Sequence, residues 1–401
     1  MGHSHGSPDP LAVPSPPPGL RHLLVGAVAV FVVLTVGGLI ALWPSHVVRS
    51  RPRSLGPPVE LVNATVQRVT QGSCEGAPAE FASHCVQAHV RITNGPDKGR
   101  REHFEVGESA DQPTLNPGDR IVLGRSVEPT TNQVSYYFSD FQRRSPLLLL
   151  TLFFSALVIG LARWKGLAAL VGLLISLLIL VRFVLPSILD GNSPVAVAIV
   201  GSAAMMFAVI YLAHGIDLRS TTALLGTGVS LVLTGLFAWI FVDLTQLSGL
   251  ASEEVTYLRA TLGGVSPQGL LLGGIIIGAL GVLNDVTVTQ ASAVWEIHGA
   301  DPAASARSVY RSAMRVGRDH IAATVDTIVL AYAGAALPLL VLFTVTGRRF
   351  TDVITGELVA EELVRSLVGS IGLVLSVPIT TGLGVFLVTR LRADGAGRRD
   401  N

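Results

Sequence analysis

Charge is what this sequence has least of. Of its 401 residues only 14% are Asp, Glu, Lys or Arg, against about 25% in an ordinary soluble chain. With 49% apolar residues and a mean hydropathy of +0.55, a water-soluble globule is excluded and an integral membrane protein is expected. A formal net charge of +1 supplies no clustered basic face of the kind nucleic acid requires, so nucleic acid is not expected as a partner. No glycine loop followed by Lys is present to cradle phosphates, which disfavours nucleotide-driven transport. Cysteine is nearly absent too: Cys74 and Cys85 are the only two. They offer no zinc-type spacing, so neither a metal nor a cofactor is expected; in an oxidising compartment the pair suits a disulfide.

What is abundant is long apolar runs. A spanning helix needs about 20 mostly apolar residues, and eight candidates lie near 22–43, 146–163, 165–187, 194–213, 220–242, 268–291, 321–344 and 366–389. The first lacks a small-residue cleavage site in the right place and reads as a permanent anchor rather than a signal peptide. Arg163, Lys165, Arg219, Arg307, Arg311, Arg315, Arg318, Arg390 and Arg392 gather on one side of these runs. By the positive-inside rule both termini are cytoplasmic and residues 45–145 extracytoplasmic, in a multi-pass cell-membrane protein.

Two stretches are not membrane-like. Residues 1–21, rich in Pro, Ser and His, cannot bury a core and read as a disordered cytoplasmic tail; residues 390–401 form a second cytoplasmic tail. Residues 56–140 change character. Val59–Val66 and Val86–Ile92 are β-branched runs, Gly95–Gly99 and Pro117–Asp119 are turn signals, and Ile121–Leu123 and Val134–Phe138 supply further strands. The expected fold is an α-helical polytopic membrane bundle of about eight spans. A small all-β barrel-like domain, OB-like or SH3-like, stands between spans one and two. The remainder, 146–389, is a seven-span membrane domain.

Within that domain GVLNDVTVTQ (281–290) places a carboxylate after an apolar run, where an Asp costs about 2.5–3.5 kcal/mol at a helix centre. Stepping by three or four, Gly274, Gly278, Gly281, Asp285 and Thr289 fall on one helical stripe. GxxxG spacing allows a neighbouring backbone to approach, so this stripe is expected to face the bundle. In the next span Asp326 shares a face with Ala333 and Gly334, with Thr327 beside it. In the last, Gly372 and Ser376 share one. Antiparallel packing would bring Asp285 and Asp326 together, with Asn284 as a hydrogen-bonding neighbour, and two acids in a low dielectric share a proton rather than both ionise. Intramembrane ionisable residues are functional by default. Asp285, Asp326, Asn284, Thr289, Thr327 and Ser376 are therefore candidate proton-relay or transport residues. Gly274, Gly278, Gly281, Gly334 and Gly372 are candidate packing residues. Repeats Arg307, Arg311 and Arg315 give the intervening connection one basic helix face.

The segments GVLNDVTVTQASAV (281–294), VGRDHIAATVDTIVLAYAGAALPLL (316–340) and AEELVRSLVGSIGLVLSVPITT (360–381) resemble the YibE/F family of bacterial membrane proteins. That resemblance implies the architecture above and carries no established biochemical activity. The chain departs from the family pattern in having Asn284 before Asp285 and Asp326 where Asn is favoured, an exchange that suits two positions sharing one polar site. Asn284-Asp285 with the following Thr-rich span is also similar to SecF, a proton-driven member of the resistance-nodulation-division group. The function expected is a proton-coupled transporter or translocation-assisting protein, in contact with the lipid bilayer and with protons or small cations, and not an enzyme. Alternatives are an envelope scaffold that works through a homo-oligomer or an envelope partner, and an intramembrane aspartyl protease. Against the protease, the glycine-rich signature around the second Asp is absent.

Overall fold

In the computed structural model, the described residues are 18–45, 59–72, 85–107, 114–128, 131–262, 264–345, 347 and 349–397. The expected disulfide and most of the N-terminal tail lie outside them, because Cys74 and residues 1–17 do. The chain divides into two units, one of residues 52–158 and one joining 1–51 to 159–401.

The first unit holds a five-stranded antiparallel sheet: β1 (Glu60–Gly72), β2 (Cys85–Ile92), β3 (Arg101–Gly107), β4 (Arg120–Val127) and β5 (Val134–Phe141). Strand order is β3-β2-β1-β4-β5, and the two edge strands β3 and β5 come into contact, so the sheet curls. A central β1 between β2 and β4 is the OB-like alternative of the two expected. Alternation builds the core: Val62, Ala64 and Val66 of β1 meet Ala88, Val90 and Ile92 of β2 and Ile121 and Leu123 of β4. The turn signals are realised where a left-handed backbone needs glycine, at Gly95 (φ 82°), Gly99 (φ 91°) and Gly118 (φ 98°). Asp97, in the β2–β3 turn, accepts from Tyr136 Oη at 2.5 Å and from Arg125 Nε at 2.7 Å. Those two donors, Tyr136 first, hold its carboxyl below the usual carboxylate range.

The helical unit contains α1 (Pro18–Ala41), and a long run starts before it resumes: α2 (Arg144–Ile179), a π-helical turn (Leu180–Val184) and α3 (Leu185–Leu189). Then come α4 (Pro194–His214), α5 (Leu218–Leu244), α6 (Glu253–Leu262), α7 (Pro267–Ala300), α8 (Ala306–Ala335), α9 (Leu337–Val345), α10 (Phe350–Ile354) and α11 (Glu357–Gly397). Among the described residues six helical runs are long and apolar enough to cross a membrane, or seven if α8 and α9, bent by 58°, count as one. The run Arg144–Leu189 covers both expected spans 146–163 and 165–187 and consists of two helices meeting at a kink at Arg163, whose φ of 52° and ψ of −129° are not helical. The α8–α9 bend follows from Pro338, which has no N–H to continue the ladder. Between the two long apolar helices α5 and α7 stands the short, more polar α6.

At the centre α7 packs against α4, α5, α8 and α11. Val197, Met206, Leu224, Ile276 and Leu283 form one buried cluster, and Ala238, Leu272, Ile275 and Val368 another. Helix α1 is anchored near both ends: Leu24 is buried in the cluster of Trp295 and Val385, Phe31 lies against Phe207, and hydrogen bonds tie the C-terminal end. Ser187 Oγ donates to Leu42 O at 2.7 Å, and Ser45 N donates to Asp190 Oδ2 at 2.9 Å. Along Gly26–Leu34 a groove of about 560 Å³ separates α1 from α5.

Candidate functional site

Helix α7 starts where Ser266 Oγ accepts from Gly269 N at 3.1 Å, with Pro267 pre-set for the first turn. It has one buried face and one open face, and the sequence reading exchanged them. The buried face carries Leu272, Ile276, Leu283, Val286, Thr287, Gln290, Ala291 and Val294. The stripe of Gly274, Gly278, Gly281, Asp285 and Thr289 is exposed. Small residues permit close packing but do not require it; the larger aliphatic side chains gain more from burial. The glycine that another backbone approaches is Gly273, where a Cβ would stand 3.2 Å from Pro194 O. At Gly274 and Gly281 a Cβ would meet nothing within 4 Å.

The inward convergence of Asp285 and Asp326 is therefore corrected. The Asp285 side chain is 72% exposed and its Oδ2 lies 3.9 Å from His320 Nε2 of α8. Asp326, one and two-thirds turns further along α8, is exposed, as are Thr327 and Gly334. Thr327 Oγ1 donates to Ala323 O on its own helix at 2.8 Å. Asn284 is half-buried, and its Oδ1 is buried without a hydrogen-bond partner among the described residues. Ser376 is fully buried, but its hydroxyl donates to Leu373 O at 2.7 Å and so is tied to its own helix.

Gly372 is the one expected packing residue that sits in a tight contact. A Cβ there would collide with Thr234 Oγ1 of α5, and one at Gly226 of α5 would collide with Thr380 Oγ1 of α11. Each helix thus offers a glycine to the other's threonine, and the two run antiparallel. A second polar contact joins α5 to α7, where the hydroxyls of Thr227 and Thr287 lie 2.5 Å apart. A third joins three helices: Gln290 Nε2 donates to Ala313 O of α8 at 2.9 Å and to Thr381 Oγ1 of α11 at 2.7 Å.

Beside the open face a cavity of about 230 Å³ lies between α7, α8 and α11. Gly278, Val282, Thr327, Tyr332, Arg365 and Gly369 are among its walls. Arg365 Nη1 stands 3.5 Å from Glu362 Oε1, while Arg365 Nε is buried without a hydrogen-bond partner among the described residues. Above it, Glu357 Oε1 accepts from Ser248 N and Ser248 Oγ, both at 2.6 Å, and from Gly249 N at 3.1 Å. That clasp fixes the start of α11 to the loop before α6. On the other side of the cavity the first half of α8 buries Val309, Ala313 and Gly317 and exposes Arg307, Arg311, Arg315 and Arg318. Among the described residues no group of three metal-ligating side chains is present.

His320, Gln290 and Arg365 were not singled out from the sequence. Gln290 is recoverable from it: with Leu283, Val286, Thr287 and Val294 it shares the α7 stripe of bulkier apolar residues. His320 and Arg365 are not, since their contacts depend on how α8 and α11 are aligned with α7.

Long apolar helices packed through small residues and threonines, with ionisable groups on a central helix, define a multi-spanning integral membrane protein. Residues 150–390 match the family of YibE/F-like proteins. The chain belongs to that family. No curated protein and no solved structure matches it.

Proposed function

We propose that the protein is a proton-coupled membrane transporter or translocation-assisting protein working through α7, α8 and α11. It resides in the cell membrane with both termini cytoplasmic and the sheet domain outside. The observation that carries this reading is the Asp285–His320 pair, 3.9 Å apart across α7 and α8, next to the cavity walled by Tyr332 and Arg365. Imidazole is the side chain suited to exchanging protons near neutrality, and an acid within a spanning helix persists where it has a task. Proton exchange at this pair changes how strongly α7 and α8 attract each other, which favours a shift of α8 against α7. Such a shift alters the shared cavity, because Gly278 and Thr327 line it from the two helices. Asp326 and Thr289 extend the same exposed polar track.

The test is proton flux in vesicles carrying the purified protein and a trapped pH-sensitive dye, with candidate salts and solutes added outside. Solute-dependent proton movement that D285N and H320A each abolish, with both variants folded, is the expected result. Flux that survives both replacements overturns the reading.

A further inference from the structure

Acids and bases nearly balance over residues 52–158, yet strand register gathers arginines on one face of the sheet. Strand register aligns Arg101 of β3 with Arg91 of β2, Arg91 with Thr65 of β1, and Thr65 with Arg120 of β4. Residues directly opposite one another share a face of the sheet, so three arginines form one row across four strands, all exposed. The next outward row holds His103, His89 and Arg68, with the two imidazole centroids 6.0 Å apart. Like charges directly opposite destabilise a sheet, so the Arg91–Arg101 pairing works against the fold.

Among the described residues, no salt bridge reaches Arg68, Arg91, Lys98, Arg101 or Arg120. Of the neighbouring acids, Asp97 pairs with Arg125 and Tyr136, Glu102 with Arg100, and Asp140 with Arg143, Asp119 accepts from Asn116 N, and Glu105, on the same face of β3 two residues past His103, accepts from Gln87 Nε2 at 3.3 Å. Beside the row is a recess of about 390 Å³ whose walls include Thr65, Gln67, Arg91, Thr93 and Lys98. Gln67 reaches it because β1 bulges there, its register shifting between Val66 and Arg68.

We infer that this face binds a polyol-phosphate polymer, a chain of phosphate groups separated by hydroxyl-bearing units. Neighbouring strands are about 4.8 Å apart, so Arg91 and Arg101 can grip one phosphate together. Arg120, two strands from Arg91, meets the next at about 10 Å. Guanidinium suits phosphate because its planar donors pair with two oxygens at once. Thr65, Gln67 and Thr93 add neutral donors and acceptors for hydroxyls between the charges. A flat lipid surface fits less well, since the charged rows carry no apolar side chain to insert.

Calorimetry on the full-length protein in neutral-lipid nanodiscs tests this, with poly(glycerol phosphate) of defined length as probe. Inorganic phosphate, a DNA oligonucleotide and phosphatidylglycerol vesicles serve as comparators. Polymer affinity should fall about tenfold or more between low and moderate salt, as expected when several phosphates are neutralised. R91Q/R101Q should weaken it at least as much while the melting temperature holds or rises, because a repulsion has been removed. R120Q is the second variant should the double one not fold, and R143Q, off the row, should bind normally. The inference is overturned by any of these results: no polymer binding, unchanged binding in both R91Q/R101Q and R120Q, inorganic phosphate bound as tightly as polymer, or preferential binding of the oligonucleotide or vesicles.

Discussion

The two faces of α7 hold similar residue types and put them to opposite uses. On the packed face Thr287 meets Thr227, and Gln290 bridges Ala313 O and Thr381 Oγ1. Thr287 and Gln290 are satisfied by neighbours and hold the bundle in register. On the open face Gly274 and Gly281 have space around them, and among the described residues the ionic contact of Asp285 is with His320 at 3.9 Å. Polarity in an apolar helix therefore has two meanings here, and burial separates them: satisfied and enclosed groups build, exposed and loosely paired groups are free to work.

That contrast is easiest to break at the glycines. Gly372→Val should have the largest effect: its side chain would enter the space of Thr234 Oγ1, overpacking a rigid contact at a cost of about 1–3 kcal/mol or more. Size-exclusion chromatography in detergent should show loss of the monodisperse folded species. Gln290→Leu should come next, at about 1–3 kcal/mol, since it removes the two buried hydrogen bonds that tie α7 to α8 and α11; a lowered thermal midpoint in detergent would show it. Asp285→Asn sharpens the comparison from the other side. The thermal midpoint should stay near wild type while solute-dependent proton flux disappears. Gly281→Ala should change least, because the added methyl meets nothing within 4 Å. It should be neutral or stabilising by up to about 1 kcal/mol, the ordinary helical preference for alanine.

The sheet unit offers a test by pH. The carboxyl of Asp97 is held below its ordinary value of 3.8 by Tyr136 and Arg125. A group lowered on folding contributes stability that is full above its unfolded value and is lost as pH falls through the folded one. Tyrosine fluorescence of wild type should thus report weakening of the sheet below about pH 4. Asp97→Asn should be less stable at neutral pH and lose this dependence.

Much of the architecture was legible in the sequence. Apolar length gives the helices, β-branched runs the strands, and Gly95–Gly99 the turn between β2 and β3, because each is a local property. What was not legible is direction. The spacing of Gly274, Gly278, Gly281 and Asp285 correctly puts them on one stripe, yet periodicity cannot say which stripe a bundle covers; that depends on where the bulk of Ile276, Leu283 and Val294 lies. Gln290 could have been recognised by asking which polar residue shares the bulkiest stripe. His320 could not, since the 34 residues between it and Asp285 set its register. The division between 146–163 and 165–187 was legible as well, because Arg163 and Lys165 interrupt the apolar run where the backbone leaves helical geometry.

The groove beside α1 carries its own implication. Between its anchors at Leu24 and at Leu42 and Ser45, α1 leaves about 560 Å³ of apolar space along Gly26–Leu34. That space has the size and character to admit hydrocarbon, so thorough delipidation should loosen the middle of α1 before either end.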